Sequence, residues 1–308
     1  MTEKINFLPP EDLQPRFVFA SLSETQDWGL VAAGIPLAHQ HTRGAGVRVA
    51  VLDTGGPNHL DLNDNLLPAI DCSGSGDPTD HQGHGTHVAG VIGALSNGIG
   101  ILGVAPEVKI IPIKVLDDYG QSGFQQIEDG IRAAIAAGAD IINMSLGATV
   151  PPPDTLHAAI IEAANKGIII IAAAGNDAGN VNFPAIYPEV IAVAAVDKEG
   201  NLASFSSRGD KVAVAAPGVN IYSTYLANQY AVLNGTSQAS PFICGVCALI
   251  LAWTRANPSV PQITGVKDML NRLDDMTSTP VGTIGFLGPH QGLGFGIPRM
   301  FNMAWDKV

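Results

Sequence analysis

The stretch LNGTSQASPFICGVCALI, residues 233–250, holds two patterns in succession. Its lead-in, Tyr230-Ala231-Val232-Leu233, reads as a strand, and Gly235-Thr236-Ser237 interrupts it. Beyond the interruption, apolar and small residues recur at helical spacing: Ala239, Phe242, Ile243, Val246, Leu249 and Ile250. A serine in such a strand-to-helix turn lies beside backbone N–H groups with no partner inside the helix. Pro241 suits a first helical turn, where a missing N–H costs nothing. Thr236 and Ser237 therefore have two competing roles, capping the helix or presenting a reactive hydroxyl. The stretch by itself favours the cap, and the chain upstream reverses that.

Upstream, strand-like and helix-like segments alternate. Val47-Arg48-Val49-Ala50-Val51-Leu52-Asp53 is an apolar run ending in an acid and Thr54-Gly55-Gly56. Buried parallel strands end this way, and their carboxyl ends are where α/β sheets place chemistry. No GxGxxG follows, which argues against a dinucleotide site, and a lone Asp-Thr-Gly lacks the second carboxylate of an aspartic protease. Residues 108–115, 141–147, 168–174, 190–196, 212–216 and 221–224 read as further strands. Residues 28–41, 125–137, 156–166 and 266–273 read as helices, with a last short one at 298–305. The alternation predicts an α/β fold with a mostly parallel central sheet and helices on both faces. His81, His84 and His87 are spaced three apart, yet no glutamate stands among them to complete a zinc-protease helix. His87 reads as a core histidine, and His84, at the helix entrance after Gly83, as the reactive imidazole. The glycine-punctuated segment from Leu95 to Pro106 reads, by composition alone, as a surface loop.

At 308 residues, 46% hydrophobic, the chain can bury a full core in one domain. Sixteen basic against 28 acidic residues give a net charge of −12, the wrong sign for nucleic acid or anionic membranes and compatible with cations. Three cysteines make no disulfide framework, and Cys244 and Cys247 read as small core residues. Residues 1–13 contain no apolar signal core, and no apolar run is expected to span a bilayer. The expected location is cytoplasmic. Residues 1–22 read as an N-terminal extension interrupted by Pro9, Pro10 and Pro15, with Phe17-Val18-Phe19 as a short strand; residues 23–308 form the main domain.

Three motifs now stand in order: Asp53-Thr54-Gly55, His84-Gly85-Thr86-His87-Val88-Ala89-Gly90, and Gly235-Thr236-Ser237-Gln238-Ala239-Ser240-Pro241. Together they resemble the subtilisin-like serine proteases, the subtilases. Ala173-Ala174-Gly175-Asn176 is similar to that family's oxyanion-hole segment, and Met144-Ser145-Leu146-Gly147 to its substrate-binding strand. The resemblance covers residues 24–304 and implies a three-layer subtilisin-like fold and serine endopeptidase activity. It implies Ser237 as nucleophile, His84 as general base, Asp53 as the group orienting it, and Asn176 as oxyanion donor.

The same resemblance implies a structural calcium ion. Its ligands would be the carbonyls of Leu95, Ile99 and Ile101, the side chain of Asn97, Asp61, and Glu24 or Gln26. An extended peptide would pair with Ser145-Leu146-Gly147 on one side and the edge from Gly120 to Ser122 on the other. Leu116, Phe124, Ile127 and Leu146 would line an apolar pocket four residues before the scissile bond. Ala174, Gly175 and Asn182 would border the pocket for the residue just before it. Asn182 replaces a glycine common there, and Gln238 a methionine common after the nucleophile. The segment Ile5-Asn6-Phe7-Leu8-Pro9-Pro10 resembles the short inhibitory extension of an intracellular branch, and is expected across or near the active site. The partners implied are a peptide or protein substrate, and a homodimer is left open. A transpeptidase or macrocyclase with the same triad, and a silent peptide-binding pseudoprotease, are the competing functions.

Overall fold

The computed structural model describes residues 4–8, 14–18, 23–277, 294–300 and 303. Half of the proposed C-terminal helix at 298–305, together with Pro9, Pro10 and Phe19, lies outside these residues.

Seven strands form one sheet: β3 (Arg48–Asp53), β4 (Ile70–Asp71), β5 (Lys109–Lys114), β7 (Ile141–Met144), β8 (Ile169–Ala173), β9 (Ile191–Val196) and β10 (Val214–Pro217). Their order is β10-β9-β8-β7-β3-β5-β4, and every neighbouring pair is parallel. Successive strand residues enter different cores, as period-two geometry requires. Val49, Val51, Ile169, Ile171, Ile191 and Val193 join one cluster; Ala50, Leu52, Ile170, Ala172, Ala192 and Ala194 join the other. Both faces are thus buried, which is why these strands read as continuous apolar runs.

On the first face lie α3 (His84–Gly93), α6 (Thr236–Ala256) and α7 (Val266–Thr277); on the second, α4 (Phe124–Ala136) and α5 (Asp154–Asn165). From β3 the chain runs by way of the edge strand β4 and α3 to β5 on one side, then returns through α4 to β7 on the other. The carboxyl end of β3 is therefore a switch point, where an open sheet forms its crevice.

Three expectations are corrected. Residues 28–41 form two short helices, α1 (Trp28–Ala32) and α2 (Ile35–Ala38), because Gly34 adopts a left-handed φ of 73° between them. A run long and apolar enough to cross a bilayer does exist: α6 has 21 residues and a mean hydropathy of 1.5. Its interspersed Ser, Gln and Pro hide it from inspection, and 89% of it is buried inside the protein, so it is the helix the core is packed around. Pro241 is not in the first turn but at the sixth helical position, since α6 already starts at Thr236.

A smaller antiparallel sheet joins β11 (Ile221–Tyr225), β12 (Gln229–Leu233) and β2 (Arg16–Val18). The expected strand around Phe17 is this β2. A two-stranded antiparallel pair joins β1 (Ile5–Asn6) to β6 (Gln121–Ser122).

Candidate active site

Asp53 closes β3, and its Oδ1 accepts the N–H of Thr54 at 2.8 Å and faces His84 Nδ1 at 2.8 Å. Both side chains are essentially inaccessible, at 1% and 0%. His84 is the first residue of α3, after Gly83 at φ 103°. A Cβ on Gly83 would collide with the Tyr225 ring, so the turn that aims His84 needs glycine twice over, for its dihedral and for its space.

Asp80 and Thr54, neither anticipated from sequence, hold this corner. Asp80 accepts from the N–H groups of Gln82, Gly83 and Thr86 and from the hydroxyls of Thr86 and Thr54. Thr54 Oγ1 in turn accepts the N–H of Gly85 at 2.9 Å. Together they satisfy N–H groups at the start of α3, donors a helix cannot satisfy itself. Lys114, buried at the end of β5, donates to the Thr54 carbonyl at 2.5 Å and to Asp118 at 2.8 Å. An aspartate shortly before a helix start was the available signal for Asp80. Lys114 left only a charge at the end of an apolar strand.

The serine turn sets aside the capping role. Gly235, at φ 156° and ψ 162°, is the N-cap residue of α6, and no side chain caps the helix. Thr236 and Ser237 are its first two helical residues, and their hydroxyls point elsewhere. Thr236 Oγ1 donates to Asn176 Oδ1 at 2.9 Å and accepts the N–H of Gly175 at 3.1 Å. Ser237 Oγ donates to the Ser145 carbonyl at 3.2 Å. Because Pro241 has no N–H, the Ser237 carbonyl four residues back loses its helical donor. Ser145 Oγ supplies one at 2.8 Å. Asn143 extends this link: its Nδ2 donates to Ser145 Oγ and its Oδ1 accepts from Ser240 Oγ. Asn143, a buried amide in an apolar strand, was also missed.

Asn176 follows β8, and its Oδ1 accepts from both the N–H and the hydroxyl of Thr236. That fixes the amide with Nδ2 on the opposite side. Asp53, Ser145 and Asn176 thus stand at the carboxyl ends of three adjacent strands, β3, β7 and β8, with Ser237 above them on α6. A cavity of about 250 Å³ opens beside Ser237, bordered by Leu146, Gly147, Gly175, Asn176, Asp177 and Asn182. Ala174 is buried just behind it, accepting the Asn182 N–H at 2.9 Å.

The edges expected to grip a peptide are occupied by the chain's own N-terminal segment. The Phe7 N–H donates to the Gly120 carbonyl at 3.1 Å, and the Gly147 N–H donates to the Phe7 carbonyl at 3.2 Å. Phe7 is 1% exposed, meets Phe124 edge-on at 5.6 Å, and shares a buried cluster with Leu116, Ile127 and Leu146. Leu8 is fully buried.

His87 is the core histidine expected. Its Nε2 faces the carbonyls of Ile221 and Ala231, and burial pushes its pKa down to about 3. His81 instead pairs with Asp77 at the surface. Cys244 and Cys247 are buried free thiols.

The residues named for a cation also converge. Asp61 Oδ2 accepts from the N–H of Ile101 at 2.9 Å and from Tyr230 OH at 3.2 Å. The Leu95 N–H donates to the Asp61 carbonyl. Thr25 bridges to Ile101, and the preceding Glu24 pairs its N–H with the Gly98 carbonyl at 3.1 Å. Asn97 Oδ1 accepts the Ile99 N–H. Asp61 Oδ1 is buried without a hydrogen-bond donor. Burial raises the Asp61 pKa, and the negative charge of Glu24 raises it further, against the hydrogen bonds that lower it. An orphaned carboxylate oxygen beside a second acid fits a divalent cation. Among the described residues no group of three or more His, Cys, Asp or Glu side chains assembles, so any such ion relies on carbonyl and amide oxygens.

Residues 44–295 match the subtilase family. The chain is 46% identical over 234 residues to the thermostable alkaline protease of Halalkalibacterium halodurans, covering 75% of this chain and 64% of that relative. It is 39% identical over 274 residues to subtilisin Savinase of Lederbergia lenta, covering 86% and 96% respectively. With subtilisin DY of Bacillus licheniformis the identity is 46% over 235 residues, 72% of this chain and 85% of the relative. The chain belongs to the subtilase family and is a subtilisin-like serine endopeptidase.

Proposed function

We propose that this endopeptidase cleaves peptide bonds through an acyl-enzyme on Ser237, with His84 as general base and Asp53 orienting it. The observation that carries the reading is the buried 2.8 Å contact between His84 Nδ1 and Asp53 Oδ1. With Nδ1–H given to the carboxylate, the accepting nitrogen of the neutral ring is Nε2. As Ser237 Oγ attacks, its proton passes to Nε2, and Asp53 stabilises the imidazolium without being protonated itself. The oxyanion is met by the Ser237 N–H, at the start of α6, and by Asn176 Nδ2. The imidazolium then protonates the leaving amine, and water repeats the sequence to release the acyl group.

The Asp61 corner is read as a structural calcium site, with Leu95, Asn97, Ile99, Ile101 and Glu24 as the further oxygen donors. The ion would supply positive charge where two carboxylates meet and tie the Leu95–Ile101 loop down, and no step of catalysis passes through it. The segment around Phe7 is read as inhibitory, since it uses the hydrogen bonds a substrate would use. A tether supplies an effective concentration in the millimolar range, so weak intrinsic affinity suffices to occupy the cleft.

Cleavage profiling on a peptide library tests the whole reading. Wild type should release fragments that Ser237→Ala does not. Products of higher mass than the input peptides would favour transfer to an amine, and an inert protein that binds peptides would favour a pseudoprotease.

A further inference from the structure

The cavity beside Ser237 is lined by small or apolar groups, Leu146, Gly147, Ala148 and Gly175 among them, and by polar ones that include Asp177 and Asn182. Asn182 is 7% exposed and wedged between two glycine backbones. A Cβ on Gly175 would come within 2.5 Å of Asn182 Nδ2, and one on Gly147 within 3.3 Å of its Cβ. So tight a seat holds the amide in one orientation. Its Nδ2 donates to Asp177 Oδ2 at 2.7 Å.

That bond uses one of the two protons of the Asn182 amide. Asn182 Oδ1 and the second Asp177 oxygen remain as acceptors, and Asp177 gives the pair a negative charge. Among the described residues no lysine, arginine or histidine forms an ion pair with Asp177. An apolar guest beside Asp177 and Asn182 would strip water from these acceptors and replace it with nothing. A lysine or arginine would lay its methylene stem along the apolar lining and bring donors and a positive charge to them. The net charge of −12 adds attraction for cationic segments at longer range.

We propose that Asp177 and Asn182 make this pocket select lysine or arginine immediately before the scissile bond. The proposal deepens the reading of Ser237 as nucleophile and rests on it. Two single-residue diphenyl phosphonates, built on protected lysine and protected phenylalanine, test the pocket on the full chain, with intact mass reporting the labelling rate. A small fluorophosphonate reports separately whether Ser237 is reactive. The expected result is labelling about tenfold faster with lysine than with phenylalanine, a modest factor because Asp177 is exposed and its field screened. Asp177→Asn should bring the ratio close to one. Raising ionic strength to ~1 M, where the screening length is about 3 Å, should lower it in the unaltered protein, a reading that holds even if the variant misfolds. Phenylalanine reacting as fast as lysine, or a ratio that neither salt nor Asp177→Asn changes, overturns the proposal. So does failure of both phosphonates where the fluorophosphonate still labels Ser237; failure of all three reagents takes down the nucleophile reading with it.

Discussion

Asp53 and Asp61 stand eight residues apart on either side of the turn that follows β3, and both are buried. In each, one carboxylate oxygen is engaged twice and the other meets no hydrogen-bond donor. The neighbours differ in sign. Asp53 faces an imidazole, which becomes a cation when it takes a proton. Asp61 faces Glu24, a second acid, and the imidazole beside it, His59, already accepts the Asp61 N–H at Nδ1 and is held toward its neutral form by burial. A buried carboxylate is tolerated when an opposite charge is at hand and is costly when it is not. In the proposed mechanism the first corner carries its compensating charge within the chain and uses it during catalysis. In the proposed calcium reading the second takes a permanent charge from solution. The first should govern rate and the second stability.

The largest effect expected is on rate. Ser237→Ala or His84→Ala should each lower kcat by about 10⁶, a magnitude taken over from subtilisin itself, and the double change should cost little more. Additive losses would mean that the two residues do not act as a unit. Ser237→Ala, which leaves the Asp53–His84 contact intact, should keep the thermal stability of the parent, and a large drop would blur the division between the corners.

The second effect is on stability and tests the Asp61 corner. At 100 times its Kd, a bound cation contributes about 2.7 kcal/mol, so chelation should lower the unfolding temperature by several degrees. The pH dependence has a definite sign. Burial raises the Asp61 pKa above its unfolded value, so the folded state favours the protonated acid. In chelator, this group's contribution is present below the unfolded carboxylate range and is lost as pH rises through the folded pKa. With calcium present that loss should vanish. Asp61→Asn should remove both the chelator response and this pH dependence, measured by thermal melts from about pH 4 to 7. An unchanged chelator response in Asp61→Asn would place the ion elsewhere.

Much of this was legible in the sequence, and the boundary has a physical reason. Asp53, His84 and Ser237 each close or open a regular element, and such junctions are marked by an apolar run meeting glycine. The parallel sheet was legible because strands buried on both faces are apolar throughout. The groups that hold the site were not. Asp80, Thr54 and Asn143 each have a partner 26 to 97 residues away, and a polar residue reads the same in a sequence whether it meets water or a distant hydroxyl. Pro241 looked like a first-turn proline because the helix start is set by the Gly235 dihedral, which a linear pattern does not record. Asp177 carries no mark of its own in the sequence, and its tie to Asn182 shows only in the fold.

A smaller effect is expected from the N-terminal segment. Deleting residues 2–20 should raise kcat/KM on a short peptide by about ten- to a hundredfold, the range a tether at about 1 mM gives over an intrinsic affinity of about 10–100 μM. Phe7→Ala in the full chain should give part of that gain, since it empties the aromatic contact with Phe124. Unchanged activity in a folded, truncated protein would leave the segment without a regulatory role.

The smallest separates support from chemistry. Ser145→Ala removes the donor to the Ser237 carbonyl that Pro241 leaves open. It should cost about 1 kcal/mol of stability and lower kcat less than tenfold. A loss near that of Ser237→Ala would make Ser145 part of the reacting set.

The most direct test is the rate and place of fluorophosphonate labelling, located by peptide mass, in wild type and in His84→Ala. The account predicts one labelled residue, Ser237, and a rate at least about 10³ lower once the base is gone. Labelling at a different residue, or an unchanged rate in His84→Ala, would contradict it.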